Sequence, residues 1–400
     1  MSAASADDIA RFRRQLHARP ELSEREHETA TAIVARLAPT HPTTVVDRLG
    51  TMQTGVCAVY DSGEPGPVVL LRAELDALPI QESNTFGHRS MSSGVSHKCG
   101  HDGHMATLVA VAEGLHAQPI RRGKVYLLFQ PAEETGTGAS AVLADERFKA
   151  LAPPDVVYAF HNVPKYPLGQ VLLRKGLFAQ GSVGFIARYR GKTSHSSYPE
   201  HGVNPSTAVT ELVAAVNRFD KTLSDSVSAP ILGTVSYAQL GVAEKGPNFG
   251  TTPGEGVVMG VVRAHKTSDL DRVRDELASR ARQLARDSGL EHELSWHEAF
   301  AATESDDDCV AAIEAAATRA GLDARYLDEP FRWSEDFGYF TAAFKGAFFG
   351  LGSGTEQPQL HDDGYDYPDA LIGIGARIYR SIIDRHLAEH RSTSGKGVSR

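Results

Sequence analysis

Four hundred residues, 41% hydrophobic and 23% charged, describe a folded chain long enough for two domains with cores of their own, and exclude disorder for most of it. A formal net charge of −9 leaves no basic footprint for a nucleic-acid backbone. The residues from Met1 to Asp8 lack a charged leader followed by an apolar stretch, and no later segment is apolar for long enough to span a bilayer, so a cytoplasmic chain with neither nucleic-acid nor membrane partner is expected.

In chain order, Ile9, Phe12 and Leu16 recur at helical spacing after Asp7 or Asp8 as a plausible N-cap, and Ala30, Ile33, Val34 and Leu37 do so beyond a break at Pro20. Two opening helices are predicted. The strand-like run Gly55 to Tyr60 carries Cys57, read as a buried structural thiol. With Cys99 and Cys309 it makes an odd, sparse set that argues against a disulfide framework. Three runs, Val68 to Leu71, Val125 to Phe129 and Val156 to Phe160, are short and rich in β-branched or aromatic residues, with helical segments between them. This is α/β patterning. Each run ends in polar residues: Arg72, Glu74 and Asp76 after the first, Gln130, Glu133 and Glu134 after the second, His161 and Asn162 after the third. Ligand crevices of open α/β sheets lie outside the carboxyl ends of the strands, so these endings can converge.

From 181 to 295 the order becomes strand (183–189), helix (205–223), strand (231–239), strand (256–263), helix (269–288) and strand (291–296), with no cluster of metal-binding residue types. An inserted α+β satellite domain is predicted there. The catalytic domain, a sheet flanked by helices, takes 1–180 and resumes at 296–390, with a helix over 306–320 and a closing helix over 369–389. The Ser, Gly and Lys-rich tail 391–400 is expected to be mobile.

The chemistry is concentrated in His97-Lys98-Cys99-Gly100-His101-Asp102-Gly103-His104, where one cysteine and three histidines stand within eight residues. Cys99 and His101 are two apart on a loop entering a helix over 105–117, where Gly100 and Gly103 ease the turn, so both side chains can aim at one ion. His97, His104 and His88 are read as supporting or incidental. Glu133 and Glu134 are adjacent carboxylates at a strand's carboxyl end, and a cation between them would relieve their repulsion. One can bind metal while the other acts as base toward water. His161 follows a strand and His361 lies in a Leu-His-Asp-Asp run; neither is diagnostic alone.

Seven segments, His17 to Ser23, Leu71 to Ile80, His97 to His104, Phe129 to Glu134, Ser194-His195, Glu335-Asp336-Phe337 and Leu360-His361, together resemble the amidohydrolase branch of the aminoacylase and carboxypeptidase-G metallopeptidase family. That branch holds hippurate hydrolases and plant auxin-conjugate hydrolases. The resemblance covers nearly the whole chain. It implies a mixed sheet in the catalytic domain, and a two-metal site with Cys99, His101, Glu134, His161 and His361 as ligands. Glu133 would be the general base and Asp76 the carboxylate that orients a ligand. Zinc, manganese, cobalt or nickel would suit a bridging Cys99 thiolate. It further implies a homodimer formed through the satellite domain, which lends His195 to the neighbour's site to stabilise a developing oxyanion. Asn248 and Arg263 would meet a substrate carboxylate, and Gly352-Ser353-Gly354 would form a loop closing that pocket. The expected activity is hydrolysis of small N-acyl amino acids or related amides. The rivals are a dipeptidase or aminobenzoyl-glutamate type hydrolase of the same family and, from another class, a metal-binding module without catalysis. Glu74 stands where many members have aspartate, and Lys98 where a small residue is usual; neither is expected to touch the ligands. The spacing from Asn248 to Pro253 and the residues from Ser194 to Pro199 also depart from the common pattern, which bears on substrate choice.

Overall fold

The computed structural model describes residues 3–222, 227, 229–241 and 249–388. Its chain divides into two compact units. One comprises the chain up to Phe178, Thr303–Pro330 and the chain from Asp336 onward; the other comprises Ala179–Ala302 and Phe331–Glu335. No helix among the described residues is long and apolar enough to cross a membrane. Cys57, Cys99 and Cys309 are all free and buried.

The first unit is built on an eight-stranded mixed sheet, in the spatial order Thr44–Leu49, Gly55–Asp61, Lys124–Gln130, Val68–Glu74, Val156–Pro164, Gly346–Gly354, Val171–Leu173 and Ala324–Tyr326. The four central strands run parallel, with Leu71 opposite Leu127 on one side and Tyr158 on the other, and Phe160 opposite Phe349. Their carboxyl ends therefore lie along one edge. Strand Val68–Glu74 is buried along its whole length, as a central parallel strand covered on both faces must be, and it carries Arg72 and Glu74 into the interior.

Helix His101–Ala117 packs on that strand and against helices Ala3–Ala18 and Ala370–Ala388. It is buried continuously from His101 to Ala112, which fits a segment almost without charge after its first turn. The helix therefore starts earlier than the residue pattern suggests. His101 is its first residue rather than part of a preceding loop, and the turn is made at Gly100 alone, at φ +93°. Gly103 serves packing instead: a β-carbon there would stand 2.3 Å from the ring of Tyr367. The opening helix likewise begins at Ala3, so neither Asp7 nor Asp8 caps it. The Ala-Ala-Ser-Ala start supports helix on its own propensity, and Asp8 instead accepts from Arg11 and Arg36. At Asp307–Arg319 the cap is Asp306, whose carboxylate accepts from the N–H groups of Asp308 and Cys309.

The second unit is a four-stranded antiparallel sheet in the order Leu232–Leu240, Glu255–Ala264, Gly181–Arg190 and Glu291–Phe300, with helices Ser206–Val216 and Thr267–Asp287 packed on it. Alternate residues of the central strands, among them Val258, Val262, Phe185 and Tyr189, form a core with Leu212, Val216, Val273 and Leu277. The tail 391–400 lies outside the described residues.

Candidate metal centre

Five elements deliver side chains to the carboxyl edge of the first unit's sheet. Gly100 reverses the chain between Cys99 and the helix that begins at His101. The strand Lys124–Gln130 leads into the turn carrying Glu133 and Glu134, the strand Val156–Pro164 carries His161, and the strand Val68–Glu74 leads to Asp76. His361, in the left-handed region at φ +66°, is fixed by its own N–H donating to the Lys98 carbonyl.

These residues come together in three overlapping groups: Cys99, His101 and His161; Cys99, Glu134 and His361; and His101, Glu133 and Glu134. In each, one ligand atom per residue lies within 4.8 Å of the others. Cys99 Sγ stands 3.3 Å from His161 Nε2. His101 Nε2 is 3.8 Å from both Glu133 Oε2 and Glu134 Oε1, and His361 Nε2 is 3.7 Å from Glu134 Oε2. The first and second groups share Cys99, the first and third His101, and the second and third Glu134, so the six residues form one continuous cluster of candidate donors.

The electrostatics call for a cation. Burial, and then the charges of Glu134 and Glu133, hold the Cys99 thiol well above its ordinary value. Burial favours a neutral His101, but the Asp76 carboxylate, with Oδ1 3.4 Å from Nδ1, and the charges of Glu74 and Glu134 outweigh it and push the ring up to about 10. Without metal the cluster thus keeps protons on a thiol and an imidazole to offset its carboxylates, and divalent cations would displace them. His101 supplies the decisive detail. Its Nδ1 donates to the Asp76 carbonyl at 2.9 Å, while its buried Nε2, facing the carboxylates, has no hydrogen-bond partner. His161 is held the same way, its Nδ1 donating to the Asn162 carbonyl at 2.9 Å. Buried thiol, imidazole and carboxylate donors suit zinc, manganese, cobalt or nickel, so the residues fit a resident metal.

The supporting structure around the cluster was only partly foreseeable. His104 is no bystander: its Nδ1 donates to Glu74 at 2.6 Å, its Nε2 accepts from the Asn162 N–H at 3.4 Å, and its ring packs edge-on against that of His161. Glu74 in turn pairs with Arg72, which also reaches Asp336 at 2.6 Å. A carboxylate oxygen of Glu74 shares a 4.8 Å neighbourhood with ring nitrogens of His101 and His104, and its charge helps to raise His101. Lys98 is buried and donates to Glu82, Asn84 and the Tyr365 carbonyl, which is how a cation is tolerated beside Cys99. Asn162, one of the polar strand endings, donates to the Cys99 carbonyl and to Tyr365 Oη. His97 is fully buried, and burial lowers it to about 4. His88 bonds Asp366.

Gly352, Ser353 and Gly354 do not form a loop. They end the strand Gly346–Gly354, where Gly352 pairs with Val163 and a β-carbon on it would meet the Pro167 carbonyl at 2.1 Å. In the second unit, Arg263 donates to the Arg332 carbonyl and Ser334 Oγ, and His195 is exposed on a two-residue strand paired with Thr251–Thr252. Asn248 lies outside the described residues.

Comparison with known proteins places these features in company. The model of peptidase family M20/M25/M40 matches residues 70–385. N-acetyl-L-cysteine deacetylase of Bacillus subtilis is 30% identical over 372 residues, covering 92% of this chain and 86% of the relative. The IAA-amino acid hydrolase ILR1-like 2 of Arabidopsis thaliana is 29% identical over 393 residues, covering 96% and 87%. The crystal structure of a dinuclear metal-binding peptidase from Bacillus subtilis superposes with a TM-score of 0.78 at 24% identity, covering 96% of this chain and 99% of that one.

Proposed function

We propose, from the premise that the chain belongs to peptidase family M20/M25/M40 and is a metal-dependent hydrolase of linear amides, that its substrates are small N-acyl amino acids or related conjugates bearing a free carboxylate. The observation that carries this reading is Glu133 standing beside the convergent donors: its Oε2 is 3.8 Å from the unpartnered Nε2 of His101. The named activities of the deacetylase and the IAA-amino acid hydrolase, both acting on amides of amino acids, support the substrate class.

In this reading Cys99, His101, Glu134, His161 and His361 would hold two divalent ions. Zinc, manganese, cobalt or nickel bound there would supply Lewis acidity toward an amide carbonyl and lower the pKa of water. Glu133 accepts one proton from the attacking water on its carboxylate and returns it to the leaving nitrogen as the C–N bond breaks, so it ends each turnover ionised. Asp76 sets the direction of His101 through its carbonyl and receives the Glu134 N–H on Oδ2 at 2.9 Å. Substrate recognition falls to Arg263, Asn248 and Gly352-Ser353-Gly354. The same reading pairs two copies through the second unit, with His195 stabilising the oxyanion in the neighbour's site. Exposed Leu232, Tyr237 and Leu240 on an edge strand support such pairing. The cellular compartment is the cytoplasm.

The test is hydrolysis of a panel of N-acetyl and N-benzoyl amino acids, dipeptides and aminobenzoyl-glutamate after reconstitution with each of the four metals. Glu133→Gln is expected to keep its metal and to lose turnover by a factor of about 100 or more. Full activity of that variant would overturn the assignment of the base. Cleavage of dipeptides or aminobenzoyl-glutamate alone would move the substrate to those classes, and tight metal binding with no hydrolysis would point to a module without catalysis.

A further inference from the structure

One buried carboxylate in the first unit has no place in the chemistry above. Glu26 is fully buried just before helix His27–Leu37, and its side chain does not cap that helix. Its Oε1 accepts the N–H of Glu24 at 3.0 Å and the N–H of Ala132 at 2.8 Å, and its Oε2 accepts from Thr54 Oγ1 at 2.8 Å. Ala132, 106 residues away in sequence, immediately precedes Glu133. It is fully buried at φ +50°, in the left-handed region that costs an alanine about 1–2 kcal/mol.

The rest of this turn is equally determined. The Ala132 carbonyl accepts from the N–H groups of Thr137 and Gly138, and the Glu133 carbonyl accepts from that of Gly136. At Gly138 a β-carbon would lie 1.6 Å from the Pro131 carbonyl oxygen, so no side chain fits. On the far side of Glu133, Asp76 Oδ2 receives the Glu134 N–H, and it is itself held by Ser23 Oγ at 2.7 Å. The segment from Ser23 to Glu26 thus reaches the backbone on both sides of Glu133, once through Asp76 and once directly. Placing this carboxylate there is unfavourable. Burial, and then the charge of Asp76, raise Glu26 to about 7 against the donors that favour its anion. A group retained at such a cost is expected to do something the fold alone does not require.

We propose that Glu26 is a positioning residue for amide hydrolysis: its bond to the Ala132 N–H holds the left-handed alanine and so fixes the direction in which Glu133 leaves the turn. The inference rests on Glu133 being the base. It is tested so that the two can fail separately, with Glu26→Ala, Glu26→Gln and Ala132→Gly in the full-length metal-loaded protein. Hydrogen exchange of the segment 130–138 reads the clamp without reference to activity. kcat and KM on the fastest-cleaved amide of the panel read its consequence, and metal content is measured alongside.

For Glu26→Ala, exchange at Ala132 is expected to become at least about tenfold faster. Its kcat is expected to fall about 10- to 100-fold, with KM within about twofold and metal retained. Glu26→Gln keeps an oxygen for Ala132 and Glu24, and both readouts should stay within about threefold of the parent. In the Ala132→Gly background, where left-handed backbone is unstrained, Glu26→Ala should lose less kcat than in the parent. That pair also carries the comparison should Glu26→Ala alone not fold. Unchanged exchange at Ala132 in Glu26→Ala overturns the clamp. Faster exchange with full kcat, while Glu133→Gln is inactive, overturns its catalytic consequence. An active Glu133→Gln overturns the base and leaves the exchange result to judge the clamp.

Discussion

Replacing His17 by glutamine probes the buried charge network behind the metal loop, and the structure sets the size and sign of the effect. His17 is fully buried, its Nδ1 2.9 Å from Asp102 Oδ2 and its Nε2 3.1 Å from Glu82 Oε1. Burial favours the neutral ring, but Asp102 and Glu82 outweigh it and raise the pKa from 6.5 to about 9. At about 1.4 kcal/mol per pH unit, the difference corresponds to about 3 kcal/mol of stability. Since the folded value stands above the unfolded one, that contribution is complete below pH 6.5 and is lost as the pH rises through about 9. Glutamine can still donate to Asp102 but carries no charge. Urea denaturation of the metal-free parent and of His17→Gln at pH 6, 8 and 10 gives the stability difference at each pH, and titrations common to both chains cancel in the subtraction. The difference should shrink by about 3 kcal/mol from pH 6 to pH 10. A difference constant across that range would refute the claim that His17 is charged in the folded protein.

Asp76→Asn should weaken metal binding by about 10- to 100-fold, as loss of a carboxylate behind a ligand histidine does elsewhere. Competition with a chromophoric chelator measures it, and parental affinity would show that the backbone carbonyl alone orients His101. Gly103→Ala places a β-carbon 2.3 Å from the buried Tyr367 ring and should destabilise the first unit by about 1–3 kcal/mol, seen as a lower Tm. An unchanged Tm would mean that the Tyr367 ring moves aside freely.

Much of this was legible before any coordinates because it is local. The runs Val68 to Leu71, Val125 to Phe129 and Val156 to Phe160 are apolar on every position, which suits a strand buried on both faces, and they are three of the four central parallel strands; the fourth, Gly346–Gly354, was not among the predicted elements. Cys99 and His101 could be singled out because two donors lie within three residues, and the polar strand endings did meet at one edge. Sequence leaves His104 between a supporting and an incidental role because nothing nearby announces its partner: Glu74 lies 30 residues away, on the strand against which the helix packs. The start of that helix was misplaced for a related reason. A helix whose first turn holds His101, Asp102 and His104 looks too polar to be buried until His17, Glu74 and Arg13 are seen to answer those groups.

By itself the sequence determined the kinds of donor and the strands and helices that carry them, since ligand chemistry and apolar periodicity depend on residues close together in the chain. Tertiary structure alone decided what holds those donors in place. The bonds from Glu26 to Ala132, from Ser23 to Asp76 and from His17 to Asp102 span 106, 53 and 85 residues. A buried carboxylate is stable only where distant backbone and side-chain donors come to meet it. Which donors do so is settled when the strands take their order in the sheet, not before.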